Sequence, residues 1–366
     1  MTERDYLIWL NHVKHVGMKK KNVLLETLGS ASAVAELTAG ELERLMESGS
    51  LSPEEVAGLV EERPEEYLEK LEERLDRTGV AVMARNSPAY PGQLENIPDP
   101  PLCLFYKGDP ELLQMPAMAV IGSRTPSDYG RETAAYFSSQ LASAGVVIVS
   151  GLAAGIDSEA HRAATGAGGR TTGVLGCGVE RCYPKSNFGL YDRMCRDQLV
   201  ISEYEPGTEP WAGNFPMRNR IISGISRGVL VTEARKKSGT MITAGAALDQ
   251  GRSIYAVPGR ILDPLSAGTN QLIKDSARLA DSPGEILEEL FPELTVKGKK
   301  RRTKLTEEEA ALMPFFSLEP LYMDDLIRKG GRGIPETLAI LQSLLKKREI
   351  RETLPGYFIL ETRARI

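Results

Sequence analysis

Residues 117–161 read AMAVIGSRTPSDYGRETAAYFSSQLASAGVVIVSGLAAGIDSEAH, and the fold follows from them. Two short apolar runs, 117–121 and 146–149, have the length of buried strands, and each ends at a small residue. Between them, residues 129–144 carry apolar side chains at helical spacing and stop at Gly145. Strand, helix, strand is a crossover unit, so the two strands are expected to be parallel, with a loop mouth at their carboxyl ends. Gly122, Ser123 and Arg124 stand at the end of the first strand, Ser150 and Gly151 at the end of the second. Bare main-chain amides beside one arginine suit a phosphate-shaped ligand.

The alternation continues outward from this unit. Further strands are expected at 171–175, 199–202, 229–232 and 253–257, with helices at 157–165, 188–197, 217–226, 240–250 and 269–276. This is an α/β chain with a doubly wound, Rossmann-like parallel sheet as its core, and such sheets bind ligands outside the carboxyl ends of their strands. Upstream, 80–84 and 102–107 read as short strands. Pro88, Pro91, Pro98, Pro100 and Pro101 between them predict an extended segment across the edge of the core. Residues 1–78 read as short helices at 5–15, 20–28, 32–37, 40–46, 53–60 and 64–77, a small all-helical domain of SAM or helix-hairpin-helix type. The turn from Gly17 through Met18 to Lys21 has cations for a DNA phosphate. It lacks the Gly-x-Gly that shapes such a hairpin, so an interaction module is the preferred reading. The core is expected to span 79–296, followed by a basic linker at 297–304 and a winged helix at 305–366. In that last domain helices are expected at 306–316, 322–328 and 335–348, then strands at 350–353 and 357–360 joined by Pro355-Gly356. From residue 297 onward, fifteen Lys and Arg stand against ten Asp and Glu, so DNA binding there competes evenly with a solvated helix end at Lys346, Lys347 and Arg348.

The totals exclude several classes. A formal charge of −5 on 366 residues argues against a general nucleic-acid coat. Cys103, Cys177, Cys182 and Cys195 form no CxxC pair and have no histidine at metal spacing, which predicts reduced thiols and no metal site. No run approaches eighteen apolar residues, so the expected location is cytoplasmic with no membrane partner. Neither GxGxxG nor GxxxxGK[ST] occurs, and no acid follows the second strand, so no dinucleotide cofactor is expected. His161 has no nucleophile beside it in sequence and reads as a packed histidine, Asp157 as a helix start.

Donors and positive charge remain. Arg218, Asn219 and Arg220 follow the Phe215-Pro216 break, Lys185 follows Tyr183-Pro184, and Lys237 precedes Ser238 and Gly239 at another helix start. Helix N-termini attract anions, and arginine adds bidentate phosphate contacts. Tyr183, Phe188, Trp211 and Phe215 occur in the same loops, where they either stack on bases or plug the core. The expected site comprises Gly122, Ser123, Arg124, Lys185, Phe188, Phe215, Arg218, Asn219, Arg220, Lys237, Ser238 and Gly239.

Tyr90-Pro91, residues 120–124, VSGLAAGIDSEAH at 149–161, 183–187, ISEYEPG at 201–207, FPMRNRII at 215–222, SGTMITA at 238–244, 257–259 and 268–273 together resemble the DNA-processing protein A family, DprA or Smf. Asp275-Ser276-Ala277 departs from the family pattern, which has a glycine before the alanine. The resemblance implies a homodimer that binds and protects incoming single-stranded DNA and loads the RecA recombinase during natural transformation. It carries Ser123, Arg124, Lys185, Arg218 and Arg220 over as DNA contacts, and a non-enzymatic binder of this kind explains why helix N-termini and arginines abound while no nucleophile, metal cluster or acid–base pair appears. The alternative is a nucleotide-binding sensor or N-glycosidic hydrolase of the lysine-decarboxylase-like LOG type. Those relatives place a glutamate soon after a GGxGT turn, whereas Ser238-Gly239-Thr240 is followed here by Met-Ile-Thr-Ala. Glu203 and Glu233, at strand ends, are the acids that could stand in for it.

Overall fold

The computed structural model describes residues 1–61, 63–295, 305–317, 319–347 and 349–360. The chain forms two compact units, Met1–Phe291 and Pro292–Ile366. In the first, β1 (Ala81–Ala84), β2 (Cys103–Gly108), β3 (Ala117–Ile121), β4 (Val147–Ser150), β5 (Thr171–Leu175), β6 (Leu199–Ser202), β7 (Gly228–Val231), β8 (Ser253–Ala256) and β9 (Arg278–Leu279) make one sheet. Its order is β1-β2-β6-β5-β4-β3-β7-β8-β9. From β6 through β9 every neighbour is parallel, and β2 runs antiparallel to both β1 and β6. The chain lays β3, β4, β5 and β6 outward in one direction, then returns to place β7 on the other side of β3. That reversal opens a crevice at the carboxyl ends of β3 and β7.

All residues of β3 through β7 are buried, because helices cover both faces of a parallel sheet. The expected doubly wound core is therefore present. Two of its differences from expectation bear on the packing around the site. The helix read as starting at Met217 spans Asn214–Gly224. Proline is tolerated in the first turn, where its missing N–H would have no helical partner, so Pro216 sits inside the helix. The proline-rich run also does more than cross an edge. It contains the short helix Gly92–Glu95, and its Leu94 and Ile97 pack onto Gly224, where an added Cβ would lie 2.7 Å from Leu94. The sheet edge is taken instead by the β1–β2 pair.

Among the described residues six helices, Glu3–His12, Met18–Leu28, Ala31–Ala35, Ala39–Glu47, Pro53–Glu61 and Pro64–Thr78, precede β1. Thr2 and Asp5 form a capping box at the first, and Gly79 ends the last in the left-handed region. Trp9, Leu10, Tyr67 and Leu71 share a core with Phe105, Leu175 and Met194 from the sheet and its covering helix. Burying side chains of this size contributes about 2 kcal/mol each.

The second unit has helices Glu307–Leu312, Met323–Gly330 and Ile334–Lys346, and strands β10 (Leu321–Tyr322), β11 (Ile350–Leu354) and β12 (Tyr357–Leu360) in the antiparallel order β10-β12-β11. This is the element order of a winged helix. Leu312, Leu326, Ile340, Leu344 and Phe358 form its core. Buried Glu309 accepts hydrogen bonds from the Thr306 amide, Ser343 at 2.7 Å and Lys347 at 2.5 Å. The basic linker at 297–304 and Arg348 lie outside the described residues. No helix among the described residues is long and apolar enough to cross a membrane.

Candidate functional site

A cleft of about 480 Å³ occupies the crevice between the loops that follow β3 and β7. Its shape depends on close backbone packing. Gly155 has a φ of 82°, and a Cβ there would lie 2.3 Å from the Ser123 carbonyl, while the Ile156 amide donates to that same carbonyl at 3.1 Å. Thr240 ties the far wall to the near one by donating to the Gly122 carbonyl at 3.0 Å. Glu233, buried at the end of β7, accepts from the Ser127 amide at 2.9 Å and the Ser127 hydroxyl at 2.5 Å. Ser127 in turn caps the helix Asp128–Ser143. The Glu233 carboxylate is a strut for the Gly122–Ser127 turn and faces no open space with it.

The structure brings eight of the twelve expected residues to the cleft: Gly122, Ser123, Arg124, Phe215, Arg218, Asn219, Ser238 and Gly239. Arg124 is exposed, has no ion-pair partner among the described residues, and places its guanidinium 5.7 Å from the centre of the Phe215 ring. Tyr183 lies beside the same ring at 5.3 Å. Across the cleft Ser238 is the N-cap of the helix Gly239–Asp249, yet its hydroxyl donates to the Arg235 carbonyl at 3.0 Å rather than accepting from a helix amide. The first amides of that helix therefore lack a side-chain cap and face the cleft with the dipole behind them. Arg235, which lines the cleft, adds an exposed cation.

Arg218 is placed differently from expectation. Only 3% exposed, it donates to the Gly151 carbonyl at 3.0 Å and to the Val174 carbonyl. Burial pushes it down to about 10, which leaves it charged at neutral pH, with the Asp157 carboxylate as the favourable neighbour. Burial pushes Asp157 up while Arg218 opposes the shift, and Asp157 accepts from the Gly151 amide at 3.0 Å. Asp157 and Arg218 together clamp the Gly151 turn.

Arg220 does not join this mouth. Two residues along a helix means a rotation of about 200°, so Arg218 and Arg220 leave opposite sides. Arg220 is buried against Glu203, with Nη2 2.5 Å from Oε1. Lys185, Phe188 and Lys237 are exposed and stand outside the cleft lining. For Lys237 the neighbouring Arg235 takes the place expected of it. Arg235, Thr240 and Tyr183 line the cleft without having been assigned to it from sequence, although each adjoins a motif that was. The missing signal is the strand order, which decides that β7 lies next to β3.

His161 is fully buried, with Nδ1 2.6 Å from the Thr171 hydroxyl, and burial pushes it down to about 3, so it is neutral at physiological pH. The four cysteines are unpaired thiols. No group of three or more His, Cys, Asp or Glu among the described residues is set to hold a metal.

A family described as DNA recombination-mediator protein A matches residues 81–291. The chain is 43% identical over 220 residues to the DNA processing protein DprA of Bacillus subtilis (strain 168), spanning 60% of this chain and 74% of that protein. The X-ray structure of DprA from Streptococcus pneumoniae matches with a TM-score of 0.67 and 36% identity, covering 79% of this chain and 98% of that one. A structure of DNA processing protein A from Helicobacter pylori, described as giving insight into its single-stranded DNA binding mode, matches with a TM-score of 0.54 and 29% identity, over 58% of this chain and 96% of that one.

Proposed function

This chain belongs to the DNA recombination-mediator protein A family, and on that premise we propose that it binds single-stranded DNA in the cleft between the loops after β3 and β7. The observation that carries the reading is Arg124. It is a cation with no ion-pair partner among the described residues, set over the Phe215 ring and opposite the uncapped N-terminus of the helix Gly239–Asp249. A phosphate needs the amides and the guanidinium, and a base has Phe215 and Tyr183 to stack on. Every base has a stacking face, so this arrangement favours a single strand without strong sequence preference.

The family supports the finer steps. The protein protects incoming single strands and hands them to the RecA recombinase as a cytoplasmic homodimer, in natural transformation or recombination. RecA filament growth on strands coated with single-strand-binding protein tests the loading step, and the absence of any acceleration by this protein would refute it. A non-enzymatic role is also supported by the two acids that a hydrolase reading would draft. Glu233 is committed to Ser127 and Glu203 to Arg220.

The decisive measurement is a fluorescence anisotropy titration with single- and double-stranded oligonucleotides across salt. Single-strand affinity is expected to fall as a power of salt concentration, by roughly 0.7 log units per tenfold salt for each phosphate neutralised. Preference for duplex would move the activity to the winged unit, and no binding to either would return the nucleotide hydrolase.

A further inference from the structure

A second pocket, of about 420 Å³, lies on the other side of the helix Asn214–Gly224. Met217 lines this pocket, whereas Arg218 and Asn219 line the cleft, so one turn of helix divides the two. Its other walls come from the N-terminal helices and the loop after β6. The acids there already have basic partners. Glu203 pairs with Arg220 at 2.5 Å, and Glu205 with His12 at 2.8 Å and Arg74 at 3.5 Å. Lys14, at the mouth, pairs with Glu61 at 3.1 Å.

Lys21 is the exception. It is 4% exposed and lines the pocket, yet among the described residues its ammonium makes a single hydrogen bond, 2.6 Å to the Asn11 carbonyl. No carboxylate among the described residues lies within ion-pair distance of it. An ammonium carries three donors, and burying one without an anion is costly. Lys21 belongs to the helix Met18–Leu28, whose N-cap Gly17 supplies no side-chain acceptor, and Met18 also faces the pocket. Met18, Met217 and Tyr204 add a soft apolar part to a lining that also includes Asn11 and Thr208.

We propose that this pocket binds the phosphate group of a nucleotide, with Lys21 as its charged contact and the methionine and tyrosine side chains against the sugar and base. A small carboxylate would leave most of the volume and the apolar lining unused. The nucleotide is either free or part of a strand. In the second case the proposal rests on the cleft reading above, since the strand would pass over Met217.

The test exploits proton linkage. Burial pushes Lys21 down to about 8, against the favourable pull of the Glu203 and Glu205 carboxylates from the loop after β6, while the Cys103 thiol of β2, itself pushed well up by burial, is neutral there. His12, Lys14 and Tyr204 are the other titratable side chains that line the pocket. Binding an anion favours the charged form, so a phosphate arriving at pH 8 is accompanied by uptake of roughly half a proton. Isothermal titration with dTMP, and separately with an oligothymidylate, in two buffers of different ionisation enthalpy reads this directly. Uptake with dTMP assigns a free nucleotide, and uptake with the oligomer alone assigns the strand. Lys21→Arg is expected to keep the affinity and lose the uptake, because arginine does not titrate there. Lys21→Met is expected to lose about tenfold or more in affinity. Uptake that survives in Lys21→Arg, or the absence of uptake with both probes, overturns the proposal. Arg124→Ala separates the readings: it weakens cleft binding of the oligomer by about 10- to 30-fold and leaves the dTMP signal in place.

Discussion

On the floor of the cleft, the Arg218 guanidinium is buried and donates to two main-chain carbonyls, with Asp157 beside it. On the rim, the Arg124 guanidinium is exposed over the Phe215 ring, with no ion-pair partner among the described residues. Both are arginines of a motif, and both lie near the same ring, Arg218 at 5.8 Å. The difference is solvation. A desolvated cation is stable only when its donors are filled by the protein, so Arg218 works as a brace and has little left for a ligand. A solvated cation costs little to keep idle and is available when a phosphate arrives. The floor fixes the rim, and the rim does the binding.

Substitution should separate the two most sharply at Arg218. Arg218→Met leaves Asp157 without its cation and two carbonyls without donors, a loss of about 3–5 kcal/mol in urea unfolding. Wild-type stability in that variant would mean the floor is not a brace. Acid attacks the same wall through His161, which lies on the helix Ile156–Gly166. Its folded value of about 3 is below the ordinary 6.5, so its contribution is complete above pH 6.5 and is lost as pH falls toward 3. The loss is on the order of a few kcal/mol, and His161→Gln should flatten the stability–pH profile between those limits. The rim should behave in the opposite manner. Arg124→Ala is expected to weaken single-strand binding by about 10- to 30-fold, roughly 1.4–2 kcal/mol, with the melting temperature unchanged. A comparable fall in stability would erase the distinction. Arg235→Ala, further along the rim, should cost about two- to fivefold in affinity and reduce the salt slope by about one phosphate.

The core was legible in the sequence because β3 through β7 are fully buried and read as unbroken apolar runs that end at small residues. The loop after β3 was legible for the same reason. Pro216 misleads: read as a break, it puts Arg218 at the helix start, where an anion would sit, whereas Arg218 lies five positions in. Their shared motif sets Arg218 and Arg220 on one mouth, although helical rotation already sends them apart. Glu203, which pairs with Arg220, and Asp157, which lies beside Arg218, come from distant segments, and only the packed fold brings them there. β9 has two residues, too few to carry a pattern. Nothing in sequence marks Lys185 and Phe188 as standing outside the cleft, because exposure of a loop depends on which strand ends meet.

The N-terminal helices close one face of the sheet: Trp9 and Tyr67 lie in the same buried cluster as Cys103, Phe105, Leu175, Leu190 and Met194. This makes them a roof, and roofs cannot be removed without weathering what lies below. A version of this chain starting at β1 would turn a dry apolar face to water, with self-association as the physical outcome. Any homologue that dispenses with these helices must have polar side chains where Phe105 and Leu175 stand, or must borrow its cover from another molecule.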